Sequence, residues 1–89
     1  MMNSLPPRPE EQTETTTLAQ LTPGQSAKIK RINGKGAIRR RLLDMGLTNG
    51  TDITVIKTSP LGDPVEYLVR GYHLSLRKAE AEMIVVRRA

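Results

Sequence analysis

No stretch of this chain runs far before a turn signal interrupts it. Pro23-Gly24, Asn33-Gly34-Lys35-Gly36, Gly46, Asn49-Gly50, the Pro60–Pro64 cluster and Gly71 follow one another at short intervals. Proline fixes φ and lacks an N–H, and glycine supplies backbone that tight turns need, so each cluster ends the element before it. Only short strands and short helices fit between them. Their core must be aliphatic, because the 89 residues include no Trp or Phe and only Tyr67 and Tyr72 as aromatics. A chain of this size makes one domain, near the lower limit for a self-sufficient core, with a net stability of ~3–5 kcal/mol.

The segments between the turns can be assigned by periodicity. LAQL (18–21) places Leu18 and Leu21 on one face of a single turn. SAKIKRI (26–32) alternates, with Ala27 and Ile29 on one side and Lys28 and Lys30 on the other. AIRRRLLDMGL (37–47) is the one convincing helix: Ile38, Leu42 and Met45 recur at helical spacing, with Leu43 beside them. Gly46 stands where a left-handed residue ends a helix, and Leu47 is placed to pack back on Leu42 as in a Schellman ending. After the Gly50 turn, TDITVIKT, VEYLVR, HLSLR and IVVR read as strands, with Ile53 and Val55, then Val65, Tyr67 and Val69, then Leu74 and Leu76 inward. KAEAEM makes one helical turn before the last strand. The expected fold is mainly β: a small barrel of about five strands with one inserted α-helix, closing its own edges.

Residues 1–17, MMNSLPPRPEEQTETTT, offer almost nothing to bury and read as a disordered polar tail ahead of a folded domain at 18–89. The PxxP formed by Pro6 and Pro9 reads as extended linker. The tail has no apolar core of a signal peptide, and the apolar run MIVV is far too short to span a membrane, so a soluble protein is expected. The absence of cysteine excludes disulfides and thiolate metal sites and fits a reducing cytoplasm. The formal charge of +5 is unevenly spread: the tail holds Arg8 against Glu10, Glu11 and Glu14, leaving thirteen basic and six acidic residues, net +7, in the rest. Such a domain suits an acidic partner: nucleic acid, phospholipid headgroups or an acidic protein surface.

Gly34-Lys35-Gly36 ahead of a helix resembles a phosphate loop only superficially. A P-loop needs Gly where Ile29 stands and Ser or Thr where Gly36 stands, so these glycines are read as a loop. His73, the only histidine, points outward with Ser75 and Arg77 if alternation holds, and weak surface metal binding is all it could support alone. The carboxylates are scattered, so no metal cage and no cofactor site is expected. Ser59 and Ser75 have no evident activating partner, and no enzyme is expected. Arg39, Arg40 and Arg41 cover too much of the helix circumference to meet one flat partner together; Arg39 and Arg40, at the rim of the apolar stripe, are the candidates for a contact.

The order RRLLDMGLTNGTDITV, then PLGDPVEYLVRGYHLSLRKAEAEMIVV, resembles the FeoA family of ferrous-iron transport accessory proteins. The resemblance rests on the helix ending Met45-Gly46-Leu47, the Gly50 turn, Pro60-Leu61-Gly62-Asp63-Pro64, Gly71, and Leu76-Arg77 followed by Glu80-Ala81, and it covers about residues 18–87. It implies an SH3-like barrel of about five strands with the helix inserted after the first. It further implies a bacterial cytoplasmic protein that binds and modulates a FeoB-type iron permease, a membrane protein with a G-protein domain facing the cytoplasm, and is recruited to the inner face of the membrane by it. The 17-residue tail departs from the family pattern. The SH3-like label does not imply proline-ligand binding, since two tyrosines make a poor aromatic groove.

SPLGDP (59–64) then reads as a stiffened loop at one barrel end, with Pro60, Gly62 and Pro64 restricting its shape. Leu61 either projects to a partner or folds back to plug the barrel. The expected partner surface is Leu61, Gly62 and Asp63, with Arg39 or Arg40 assisting, while Gly46, Leu47, Gly50, Pro60, Pro64 and Gly71 hold the fold. Two other functions are weighed. A basic barrel could bind nucleic acid nonspecifically, but lacks stacking aromatics; a weak transition-metal carrier would rest on His73 alone. Self-association through short barrel edges is open.

Overall fold

A computed structural model describes residues 15–88; the N-terminal reading for residues 1–14 lies outside the described residues. Six antiparallel strands form one sheet: β1 (Thr15–Thr17), β2 (Ser26–Ile32), β3 (Asp52–Thr58), β4 (Val65–Val69), β5 (Tyr72–Leu76) and β6 (Ile84–Arg88). Their order across the sheet is β1-β6-β2-β3-β4-β5. One helix of nine residues, α1 (Gly36–Asp44), is inserted between β2 and β3, and a four-residue turn of helix, α2 (Lys78–Ala81), precedes β6.

The strands, expected to number about five, are six. Thr15–Thr17, read as the end of the tail, pair with Arg87, Val86 and Val85 of β6. Three consecutive β-branched residues fit a pleated edge. Leu18 follows directly in a short 3-10 turn and is fully buried, which fixes these threonines against β6. Edge closure is corrected as well. Among the described residues β1 and β5 are the outermost strands, so the sheet curls around its core without a complete ring of hydrogen bonds.

The core is the aliphatic set expected from alternation. Ala27, Ile29 and Ile32 of β2, Ile53 and Val55 of β3, Val65, Tyr67 and Val69 of β4, Leu76 of β5 and Ile84 and Val86 of β6 form one cluster with Leu18, Leu42, Leu47 and Ala81. Leu74 is half-buried against it. The bulge between Val55 and Lys57 bends β3, and Ile56 within it is half-buried.

The helix ends as its sequence dictates. The Leu47 N–H donates to the Leu42 carbonyl (3.3 Å) and the Gly46 N–H to that of Leu43 (2.9 Å), which is the Schellman pattern, with Gly46 at φ 93°. Leu42 and Leu47 are both fully buried. Two further carbonyls at this end, those of Met45 and Gly46, are met from a distant hairpin. Arg70 and Gly71 form a two-residue turn between β4 and β5, both at positive φ. The Arg70 guanidinium donates to the Gly46 carbonyl (3.4 Å) and to the hydroxyls of Thr48 (3.3 Å) and Thr51 (3.0 Å), and the Tyr72 hydroxyl donates to the Met45 carbonyl. A cation at the negative end of the helix dipole adds favourable charge. At the other end, a Cβ at Gly34 would come within 2.8 Å of Met83 Sδ, so a side chain there would displace the flexible end of Met83.

Candidate functional site

The loop from Ser59 to Pro64 is built by three ties. The Gly62 N–H donates to the Ser59 carbonyl (2.8 Å), closing a four-residue turn with Pro60 and Leu61 at its centre. The Ser59 N–H donates to the Pro64 carbonyl (3.1 Å), which closes the base. Asp63 Oδ1 accepts the Lys78 N–H (2.9 Å), fastening the loop to the start of α2. The Asp63-Pro64 peptide is cis.

Leu61 stands at the tip and is 93% exposed. It does not plug the barrel. Burying a leucine gains roughly 1.5–3 kcal/mol, and here that gain is left unused by the fold. The two prolines and three ties restrict the backbone beneath it, so holding Leu61 out against a partner costs little further ordering.

Beneath the loop lies Tyr67, 1% exposed. Burial, with a smaller contribution from the Asp63 carboxylate, pushes its pKa up from 10.0 to about 12. The folded value is raised, so the stability Tyr67 contributes is intact below pH 10 and is lost as pH rises through about 12. Between those values the unfolded phenol ionises and the folded one does not. Tyr67→Phe is therefore expected to flatten the fall in unfolding free energy over this window, measured by urea denaturation of both proteins; parallel slopes would contradict it. Ser59 Oγ is buried without a hydrogen-bond partner among the described residues. Ser59→Ala is expected to leave stability unchanged or raise it by a few tenths of a kcal/mol, since an unmade hydrogen bond is removed; a loss above ~1 kcal/mol in the same assay would contradict this.

The three helix arginines separate. Arg41 pairs with Glu80 of α2, whose other carboxylate oxygen accepts the Arg77 N–H (2.9 Å). α2 thus links α1 to the loop: Glu80 holds the helix side and Lys78 the Asp63 side. Arg39 and Arg40 are exposed, and among the described residues no ion pair or hydrogen bond joins them to the loop. Gly50 and Gly71 lie in turns at φ 89° and 87°. The Asp63–Lys78 and Arg41–Glu80 ties carried no signal in the sequence, because each depends on which end of the sheet α2 reaches.

His73 is exposed on the outer face of β5, with Nδ1 beside Glu66, and Lys57 Nζ lies 3.9 Å from the same carboxylate. Among the described residues no three ligating side chains gather into a cluster. No described helix is long and apolar enough to cross a membrane.

A curled antiparallel sheet with one inserted helix and a stiff loop carrying an outward leucine defines a small β domain of the SH3-like class. The chain belongs to the FeoA domain family, whose family model matches residues 16–88. It is 44% identical over 69 residues, 78% of its length, to a fusion of Fe(2+) transport protein A with the Fe(2+) transporter FeoB from Porphyromonas gingivalis, of which it spans 8%. The NMR structure of an FeoA-like protein from Clostridium acetobutylicum superposes with a TM-score of 0.79 at 37% identity, covering 85% of this chain and 88% of that one. Stenotrophomonas maltophilia FeoA, solved in complex with zinc and described as a prokaryotic SH3 domain protein, gives 0.72 at 29% identity over 80% of this chain and 88% of its own.

Proposed function

We propose that this chain is a non-enzymatic cytoplasmic protein that binds a FeoB-type ferrous-iron permease through the 59–64 loop and modulates it. The observation carrying this reading is the Porphyromonas gingivalis fusion, in which a domain 44% identical to this one shares a polypeptide with the transporter. Covalent linkage raises the effective concentration of two modules to the millimolar range, which is useful when they act on one another. The site supports the same reading. Leu61 is the most exposed large apolar side chain of the described residues, on a loop held by three hydrogen bonds. Arg39 and Arg40 add exposed positive charge that would steer an acidic surface toward the domain.

The test is a tagged pull-down from nuclease-treated, detergent-solubilised native cells near physiological salt. Recovery of the permease with the wild-type chain is the expected result. If the permease is absent and the captured material disappears with nuclease, the basic charge is the better guide and the reading fails.

A further inference from the structure

Among the described residues β5 is an outermost strand with one open side, a kind of edge that folded proteins normally guard against. Such edges are blunted by lysine, proline, a bulge or brevity. β1, the other outer strand, is three residues long, but β5 reads Tyr-His-Leu-Ser-Leu over five residues with an unbroken register to β4. Hydrogen bonding in an antiparallel pair alternates, and the two-residue turn makes Val69 and Tyr72 a bonded pair. Leu74 and Leu76 therefore also bond to β4, while the N–H and C=O groups of His73 and Ser75 point out from the open side. The edge has defined ends. The next two amides are already taken, Arg77 N–H by Glu80 Oε1 and Lys78 N–H by Asp63 Oδ1.

We infer that β5 pairs antiparallel with β5 of a second copy of this chain, about a two-fold axis at Leu74. In that register His73 of each copy exchanges both backbone hydrogen bonds with Ser75 of the other, giving four bonds and leaving no outward backbone group of the edge unpaired. The side chains are self-complementary: His73 meets Ser75, Tyr72 meets Leu76, and no like charges face each other along the strands. Antiparallel pairing also sets the loop end of one copy alongside the Tyr72 end of the other. Leu61 and Tyr72, at these opposite ends, are the two exposed large apolar residues of the described chain. A two-fold contact is the commonest closed arrangement, and it uses one surface twice. This inference does not depend on the permease.

The experiment is sedimentation equilibrium of the full purified chain from about 10 µM to 1 mM, the range expected of a small interface. Amide hydrogen exchange is followed at both extremes. Expected are a mass rising from monomer toward dimer and slower exchange at His73 and Ser75 as concentration increases. Ser75→Pro deletes an outward N–H in each copy, two of the four bonds, and is expected to weaken the dimer at least about tenfold. A β5 edge tolerates proline where the N–H faces solvent, so the variant should unfold as the wild type does. If it does not fold, exchange at His73 and Ser75 in the wild type decides alone. A monomer at the highest concentration overturns the inference. So does a dimer in which those two amides exchange as fast as in the monomer, or capture of a foreign strand on β5 in place of a second copy. Retained permease binding by Ser75→Pro would separate this surface from the loop contact.

Discussion

Leu61→Glu is expected to abolish recovery of the permease while shifting the free energy of unfolding by no more than about 0.5 kcal/mol. The two halves of this result have separate causes. Leu61 is 93% exposed and packs against nothing that the fold needs, so a glutamate there meets water in both states. In a docked complex the same position would be desolvated, and an unpaired carboxylate buried at an interface is far more costly than a lost leucine. Pull-down recovery and thermal unfolding of the same preparation read the two quantities side by side. A marked loss of stability would make Leu61 part of the core; full recovery of the permease would remove the loop from the contact.

Gly46→Val is expected to cost ~2–3 kcal/mol, the largest stability loss among the substitutions considered. Gly46 has φ 93°, and a β-branched residue in left-handed backbone costs at least ~1–2 kcal/mol. The remainder comes from the surroundings. A Cβ at Gly46 would lie 3.3 Å from the Tyr72 hydroxyl and 3.4 Å from Arg70 Cδ and Nε, the groups that cap the helix end. Valine therefore strains the chain and displaces its caps together. The measurement is urea or thermal unfolding, with a fall of ~10 °C or more in the midpoint. Unfolding within 0.5 kcal/mol of wild type would contradict both the backbone strain at Gly46 and the displacement of its caps.

What the sequence disclosed and what it withheld divide along the range of the interaction responsible. The helix, its Gly46 ending and the burial of Leu42 and Leu47 are local consequences of spacing, and they stand where periodicity places them. Strands β2 to β5 follow from alternation, and with them the outward side of His73, while β6 follows from the apolar run IVV, which is buried throughout. β1 was hidden because Thr15–Thr17 carry no apolar signal; only the edge of β6, far along the chain, gives them a partner. The helix cap supplied by Arg70 and Tyr72 was hidden for the same reason, since it requires knowing that the β4–β5 turn reaches the end of α1. For the loop, composition predicted stiffness but not direction. A leucine between two prolines can plug a barrel or leave it, and the tie from Asp63 to the Lys78 amide belongs to the assembled end of the sheet. Helical spacing set Arg39 and Arg40 apart from Arg41, but not what Arg41 does; its pairing with Glu80 depends on where α2 lies.

The most direct measurement is a nuclear magnetic resonance titration of the isotopically labelled chain with the purified, detergent-solubilised permease. The account predicts that the amides of Leu61, Gly62 and Asp63 and the Leu61 methyls broaden first, with no such change for Leu61→Glu. Broadening centred on another face with the loop unaffected, or no change at a saturating concentration of permease, would contradict it.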